Sequence, residues 1–143
     1  MSLDRFIEAQ KYDYARALRE IKNGKKTSHW MWYIFPQIEG LGRSLTARKY
    51  AIRSAEEAEE YLRHPLLGNR LREISEELLK LPGNDPVKVF GFTDALKLKS
   101  CMTLFSMTAD DPSVFLQVLR KYYGGEKCIR TAEFLSGLPE IGG

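Results

Sequence analysis

The chain has 143 residues, 43% of them hydrophobic and 29% charged, and a net charge of +3. That is one domain's worth of chain, large enough to bury a core and too apolar for intrinsic disorder. Two cysteines without a CxxC spacing argue against a disulfide framework or a zinc ribbon. No run approaches the ~18 apolar residues of a membrane span, and residues 1–10 lack a signal peptide's apolar stretch. A soluble cytoplasmic domain spanning 1–143 is expected, with no membrane association, internal repeat or linker.

The first helical pattern runs from a cap at Asp4 through Ile7, Tyr14, Leu18 and Ile21, and Gly24 ends it. The basic pair Lys25-Lys26 leads into Ser28-His29-Trp30-Met31-Trp32-Tyr33-Ile34-Phe35-Pro36-Gln37, where Ser28 is expected to cap one or two turns ending before Pro36. Such a helix is apolar nearly all round and belongs in a core. Next, Gly40-Leu41-Gly42-Arg43-Ser44 reads as a glycine turn that carries Arg43 and opens a helix at Ser44. It lacks phosphate-loop spacing.

Ser54 with Glu57 forms a capping box for a helix through Leu62. His64-Pro65 is a helix junction, with His64 capping or packing and Pro65 at the first turn of a helix. The buried stripe of that helix is Leu67, Leu71, Ile74, Leu78 and Leu79. Asp85-Pro86 and Asp111-Pro112 repeat the cap-then-proline start. The second opens a helix through Phe115, Leu119 and Tyr122 that stops at Gly124-Gly125, and a last helix covers Glu126 to Leu135. No period-2 strand or hairpin turn is evident, so the expected fold is all-α, a compact single-domain bundle of about six to eight short helices.

Between the two Asp-Pro starts lies the segment from Thr93 to Ser106, expected to be capped by Thr93 or Asp94. Leu98, Cys101, Met102 and Phe105 form its apolar stripe, and Lys99, Ser100, Thr103 and Ser106 a polar stripe beside it. Hydroxyl residues form helices poorly, so this stripe is either a solvated face or a half-buried wall that binds an anion or a sugar. Asp94 either pairs with Lys97 or acts as a general acid or base. Cys101, on the apolar stripe, reads as a buried thiol.

The runs SHWMWYIFPQIEGLGRS, YLRHPLLGNRL and FTDALKLKSCMTLF together resemble the bacterial domain-of-unknown-function 1810 family over essentially the whole chain. The resemblance implies a compact helical domain and carries no activity. Its hallmark positions fall here on Ser28, His29, Trp30, Trp32, Pro36 and Gln37, then on Gly40, Gly42 and Ser44. They continue at His64, Pro65, Leu67, Gly68, Arg70 and Leu71, and end with Gly91, Asp94, Lys97, Lys99, Met102, Thr103 and Phe105. Cys128 stands where an acidic residue is usual, so no role passes to Cys128 or Thr131.

Three functional readings follow. The first is a small enzyme or ligand-binding domain for a nucleotide-like or other anionic metabolite, cleaved by hydrolysis or at a glycosidic bond. In it Trp30 and Trp32 stack on a ring, Lys26, Arg43 and Lys99 neutralise charge, and His29 with Asp94 handles protons. Gln37, Ser44, Lys97, Ser100 and Thr103 complete the candidate ligand-binding set, with no cofactor or metal implied. The second is a protein-interaction module that exposes the aromatic segment 28–37. Nucleic-acid binding ranks third: residues 1–53 hold 11 Lys/Arg against 5 Asp/Glu, but the charge is too scattered for a binding stripe.

Overall fold

The computed structural model describes residues 3–137. Among these are nine helices: α1 Asp4–Lys22, α2 Met31–Ile34, α3 Leu45–Lys49, α4 Ala55–Arg63, α5 Pro65–Lys80, α6 Pro86–Phe90, α7 Phe92–Thr108, α8 Ser113–Tyr123 and α9 Ile129–Ser136. The all-α class is as expected. The number of helices exceeds the expected range because α2, α3 and α6 are single turns of four or five residues. None of the nine is long and apolar enough to cross a membrane.

α7 is the axis of the bundle and packs against α4, α6, α8 and α9, while α1 packs on α2 and α5. The apolar side chains Leu98, Cys101, Met102, Leu104 and Phe105 of α7 are all fully buried. Ser100 and Thr103 are buried beside them while Lys99 and Ser106 are half-buried, so the stripe that looked polar from sequence is an inner face at Ser100 and Thr103 only. The other long helices follow the usual rule of one buried stripe. In α1 it is Phe6, Gln10, Tyr14, Ala17 and Ile21. In α5 it is Leu67, Leu71, Ile74 and Leu78, with Leu79 only half-buried. Burying each of the larger apolar side chains contributes about 1.5–3 kcal/mol, which makes the α7 axis the main source of cohesion.

Local capping chemistry sets most boundaries. Ser44 Oγ accepts from the Ala47 N–H at 3.1 Å, and Ser54 Oγ from the Glu57 N–H at 3.1 Å. His64 Nδ1 accepts from the N–H groups of Leu66 and Leu67 at 3.2 and 3.3 Å, and Asp85 Oδ1 from that of Val87 at 2.9 Å. At the far end of α5, Lys121 Nζ donates to the carbonyls of Leu78, Leu79 and Leu81, closing a half-buried helix terminus.

Some expected starts are displaced. α1 begins after Leu3 with Asp4 inside its first turn, and α9 begins at Ile129, three residues late. α7 opens after Gly91, whose φ of 81° lets α6 and α7 meet, and neither Thr93 nor Asp94 caps it.

The junction between α4 and α5 depends on one small residue. A Cβ at Gly68 would lie 2.0 Å from the Leu62 carbonyl oxygen, a backbone atom that cannot rotate away. Gly68→Ala is therefore expected to destabilise the fold by about 1–3 kcal/mol and lower Tm by several degrees, whereas Asn69→Ala on the exposed side stays within ~0.5 kcal/mol. Thermal unfolding followed by circular dichroism checks both.

Candidate functional site

The aromatic segment 28–37 is organised from below by a buried acid. Glu20, on the inner face of α1, is 8% exposed. Its Oε1 accepts from the N–H groups of Thr27 (2.7 Å) and Ser28 (3.0 Å) and from Trp30 Nε1 (3.0 Å), and its Oε2 accepts from Ser28 Oγ (2.6 Å). Burial works to raise its pKa, but the bonds from Ser28, Thr27 and Trp30 together outweigh it and hold the carboxyl at about 2. Ser28 thus does not cap α2, because its hydroxyl is committed to Glu20. Trp30, 1% exposed, is a core residue rather than a stacking surface.

A second cluster ties this segment to α7. Asp94 pairs with Lys26 at 2.8 Å and with Lys97 at 3.0 Å. Lys26 Nζ lies 5.1 Å from the centre of the Trp30 ring and Lys97 Nζ 4.3 Å from that of Trp32, within cation–π range. Burial would raise the Asp94 pKa, and the two lysines more than reverse it, so the carboxyl's pKa is lowered from its ordinary value. Between the sequence alternatives, pairing with Lys97 is the arrangement present.

From Trp32 onward the chain forms a strap. Ile38 and Ile52 make a single parallel bridge: the Ile52 N–H donates to the Gln37 carbonyl and the Glu39 N–H to the Ile52 carbonyl, both at 2.8 Å. The strap's base is thereby closed over two buried isoleucines. Above it, Gly42 packs where a Cβ would meet Trp32 Cη2 at 2.9 Å and the Ala47 Cβ at 2.7 Å, so glycine is what lets the loop close on the indole.

Strap, α3 and α9 enclose a cleft of about 740 Å³. Trp32, Tyr50 and Phe134 supply rings to its wall, and Arg43, Arg48 and Arg130 supply positive charge against Glu39 and Glu133. Arg130, Glu133 and Phe134 fall at i, i+3 and i+4, the spacing of one face of α9, and Gly137 follows at its C-terminal cap. The Arg130 guanidinium donates to the Gly40 carbonyl at 3.0 Å and bridges the two sides. Gln37, 6% exposed, also lines the cleft, and its Nε2 has no hydrogen-bond partner among the described residues. A buried donor left in that state costs about 1–3 kcal/mol.

The sequence-derived candidates divide accordingly. Trp32, Gln37 and Arg43 line the cleft, and Ser44 caps the helix next to it. His29 is exposed and lies outside the lining, with its carbonyl accepting from Tyr33 Oη at 3.2 Å. Lys26, Trp30, Asp94 and Lys97 form the support beneath Trp32. Lys99 lies 6.0 Å from the Tyr123 ring centre.

Ser100 and Thr103 lie outside the cleft lining and face the start of α9. Thr103 Oγ1 donates to the Lys99 carbonyl (2.8 Å) and accepts from the Cys128 N–H (2.8 Å), while Ser100 Oγ contacts Cys128 Sγ at 3.4 Å. The hydroxyls therefore anchor the start of the helix that forms the cleft's far wall. Sequence reasoning missed Arg48, Tyr50, Arg130, Glu133 and Phe134. For the α9 residues the helical spacing was a usable signal, and for Arg48 and Tyr50 there was none. Among the described residues no group of three or more His, Cys, Asp or Glu side chains is placed to hold a metal ion.

A family model described as "Protein of unknown function (DUF1810)" matches residues 1–135. No curated protein matches. Among solved structures, the conserved hypothetical protein Rv1873 from Mycobacterium tuberculosis is 44% identical and superposes with a TM-score of 0.92, covering 94% of this chain and 96% of that one.

The two acids carry testable signs. The folded pKa of Glu20 lies below its ordinary 4.5, so its stabilisation is complete above pH 4.5 and is lost as pH falls toward 2. Between pH 5 and pH 3 the parent should therefore lose more unfolding free energy than Glu20→Gln, as urea titrations will show. At pH 7, Asp94→Asn should cost about 2 kcal/mol, because it leaves two lysines beside an uncharged partner.

Proposed function

The chain belongs to the DUF1810 family of proteins of unknown function, and from that premise we propose that its cleft binds a small anionic metabolite carrying a flat ring, of nucleotide-like chemistry. The observation that carries this reading is the convergence of Trp32, Tyr50 and Phe134 with Arg43, Arg48 and Arg130 around one concavity of about 740 Å³. That volume is the size of a typical small-molecule site, with rings to cover a planar group and guanidinium forks suited to phosphate or carboxylate. Arg43 and Arg48 make no ion pair with any described residue, so their charge is available to a ligand.

Binding is favoured over chemistry by the position of the proton carriers. His29 is outside the cleft, and Asp94 is locked between two lysines. The titratable acids in the lining are Glu39 and Glu133, so any hydrolytic or glycosidic step would run through them rather than through the pair expected from sequence. The interaction-module reading loses its premise, since segment 28–37 lies in the core and the cleft wall instead of forming an exposed aromatic patch.

A thermal-shift screen against nucleoside monophosphates, nucleosides and sugar phosphates tests the reading. A ligand present at a hundredfold excess over its Kd should stabilise the parent by ~2.7 kcal/mol. Arg43→Ala and Arg48→Ala, at exposed positions, should remain folded and lose most of that shift, whereas His29→Ala and Lys99→Ala should keep it. Absence of any shift across the screen, or loss only in the His29 and Lys99 variants, contradicts the cleft as the site.

A further inference from the structure

We infer that the cleft takes one nucleotide of a single-stranded nucleic acid, and that neighbouring phosphates of the strand run over the basic segment 43–53. The inference rests on the cleft being a site for a nucleotide-like group, and it names the class of ligand to which that group belongs.

The main observation is charge that continues past the cleft. Between Gly40 and Arg53 the chain holds Arg43, Arg48, Lys49 and Arg53 and no Asp or Glu. All four are exposed, and none makes an ion pair with a described residue. Arg43 and Arg48 line the cleft, but Lys49 and Arg53 do not. Lys49 Nζ lies 5.3 Å from the centre of the Tyr50 ring, which is part of the lining, so positive charge extends beyond the cleft on that side. Arg53 follows the Ile38–Ile52 bridge at the base of the strap. A ligand confined to the cleft meets Arg43 and Arg48 and leaves the other two cations unanswered. A chain of phosphates meets all four.

The fold adds a fifth cation. Arg130 is remote in sequence, yet its guanidinium donates to the Gly40 carbonyl of the same strap at 3.0 Å. The acids of this region are Glu39 and Glu133 in the lining and Glu56, exposed in the first turn of α4. Positive charge is in excess, as a polyanion requires.

The rings indicate which polyanion. Phe134 is 44% exposed, and Trp32 and Tyr50 are half-buried, so the cleft offers accessible ring surface. A basic groove with aromatic side chains is the combination that binds single strands, whose unstacked bases cover the rings while the backbone tracks the charge. A duplex keeps its bases stacked inside, and an anionic lipid surface has no flat group to present. Either would answer the cations and leave the rings unused.

Fluorescence anisotropy with a labelled oligothymidylate of about eight nucleotides, beside calorimetric titration of thymidine 5′-monophosphate, tests this. At about 50 mM salt the parent should bind the oligomer at least about tenfold tighter than the monophosphate. Raising salt to about 200 mM should weaken the oligomer about fiftyfold, as for about four neutralised phosphates on a single strand. The double variant Lys49→Ala/Arg53→Ala should lose about half of that salt slope and bind the monophosphate within about twofold of the parent. Lys49→Arg/Arg53→Lys, which keeps both charges, should bind the oligomer like the parent.

An oligomer bound no tighter than the monophosphate, or a matched duplex bound as tightly as the single strand, overturns the inference while the cleft reading stands. So does a Lys49→Ala/Arg53→Ala variant with an unchanged salt slope, or binding to phosphatidylserine vesicles without binding to the oligomer. A parent that binds neither oligomer nor monophosphate overturns both.

Discussion

Glu20 gathers four donors from a segment that otherwise has no regular structure, and the geometry around the cleft depends on that gathering. A carboxylate on the inner face of a helix is expensive to bury, and only dense hydrogen bonding makes it tolerable. Here the compensation comes from one short stretch, Thr27, Ser28 and Trp30. Satisfying the acid therefore fixes the path of the chain from the end of α1 to the start of α2. Trp30 is driven into the core, Lys26 is brought to Asp94, and Trp32 emerges against the strap. The aromatic cluster looks like a binding motif in one dimension. In three, it is a folded hinge with one ring on each side, Trp30 serving the core and Trp32 the cleft.

The same division runs through α7. Asp94 and Lys97 face the aromatic segment, while Ser100 and Thr103 face α9. One helix thus positions both walls of the cleft without contributing a lining residue of its own. This arrangement separates support from recognition: the buried, paired groups lie beneath the cleft, and Arg43 and Arg48, which make no ion pair with any described residue, lie in it. Polar groups whose bonds are complete rigidify a fold, and those left incomplete are the ones available to a ligand.

Local chemistry was legible in the sequence and convergence was not. Ser54, His64-Pro65, Asp85-Pro86 and Gly124 marked helix ends because a cap acts on residues two or three positions away. Ser28 misled because the same hydroxyl that caps helices also serves a distant acid, and nothing nearby in the chain distinguishes the two uses. The signal for Glu20 was present but slight: it follows Ala17 by three residues, which sets a charge on the buried face of α1. Ser100 and Thr103 were marked as odd for a solvated face, and both turn to Cys128: its N–H donates to Thr103 Oγ1 and its Sγ lies against Ser100 Oγ. Arg130 and Phe134 of the cleft reach it only because α9 folds back over residue 40, a long-range contact with no local signature.

The central claim is that the concavity between the strap and α9 is where this protein meets a small anionic metabolite carrying a flat ring. Amide-correlation NMR of the ¹⁵N-labelled protein, titrated with uridine and guanosine 5′-monophosphates, tests it most directly. The account predicts saturable shifts at Gly40 and Gly42 on the strap, and at Arg130 and Phe134 on α9, with His29 and Lys99 unmoved. Shifts centred on His29 and Lys99, or a spectrum unchanged at saturating nucleotide, would contradict it.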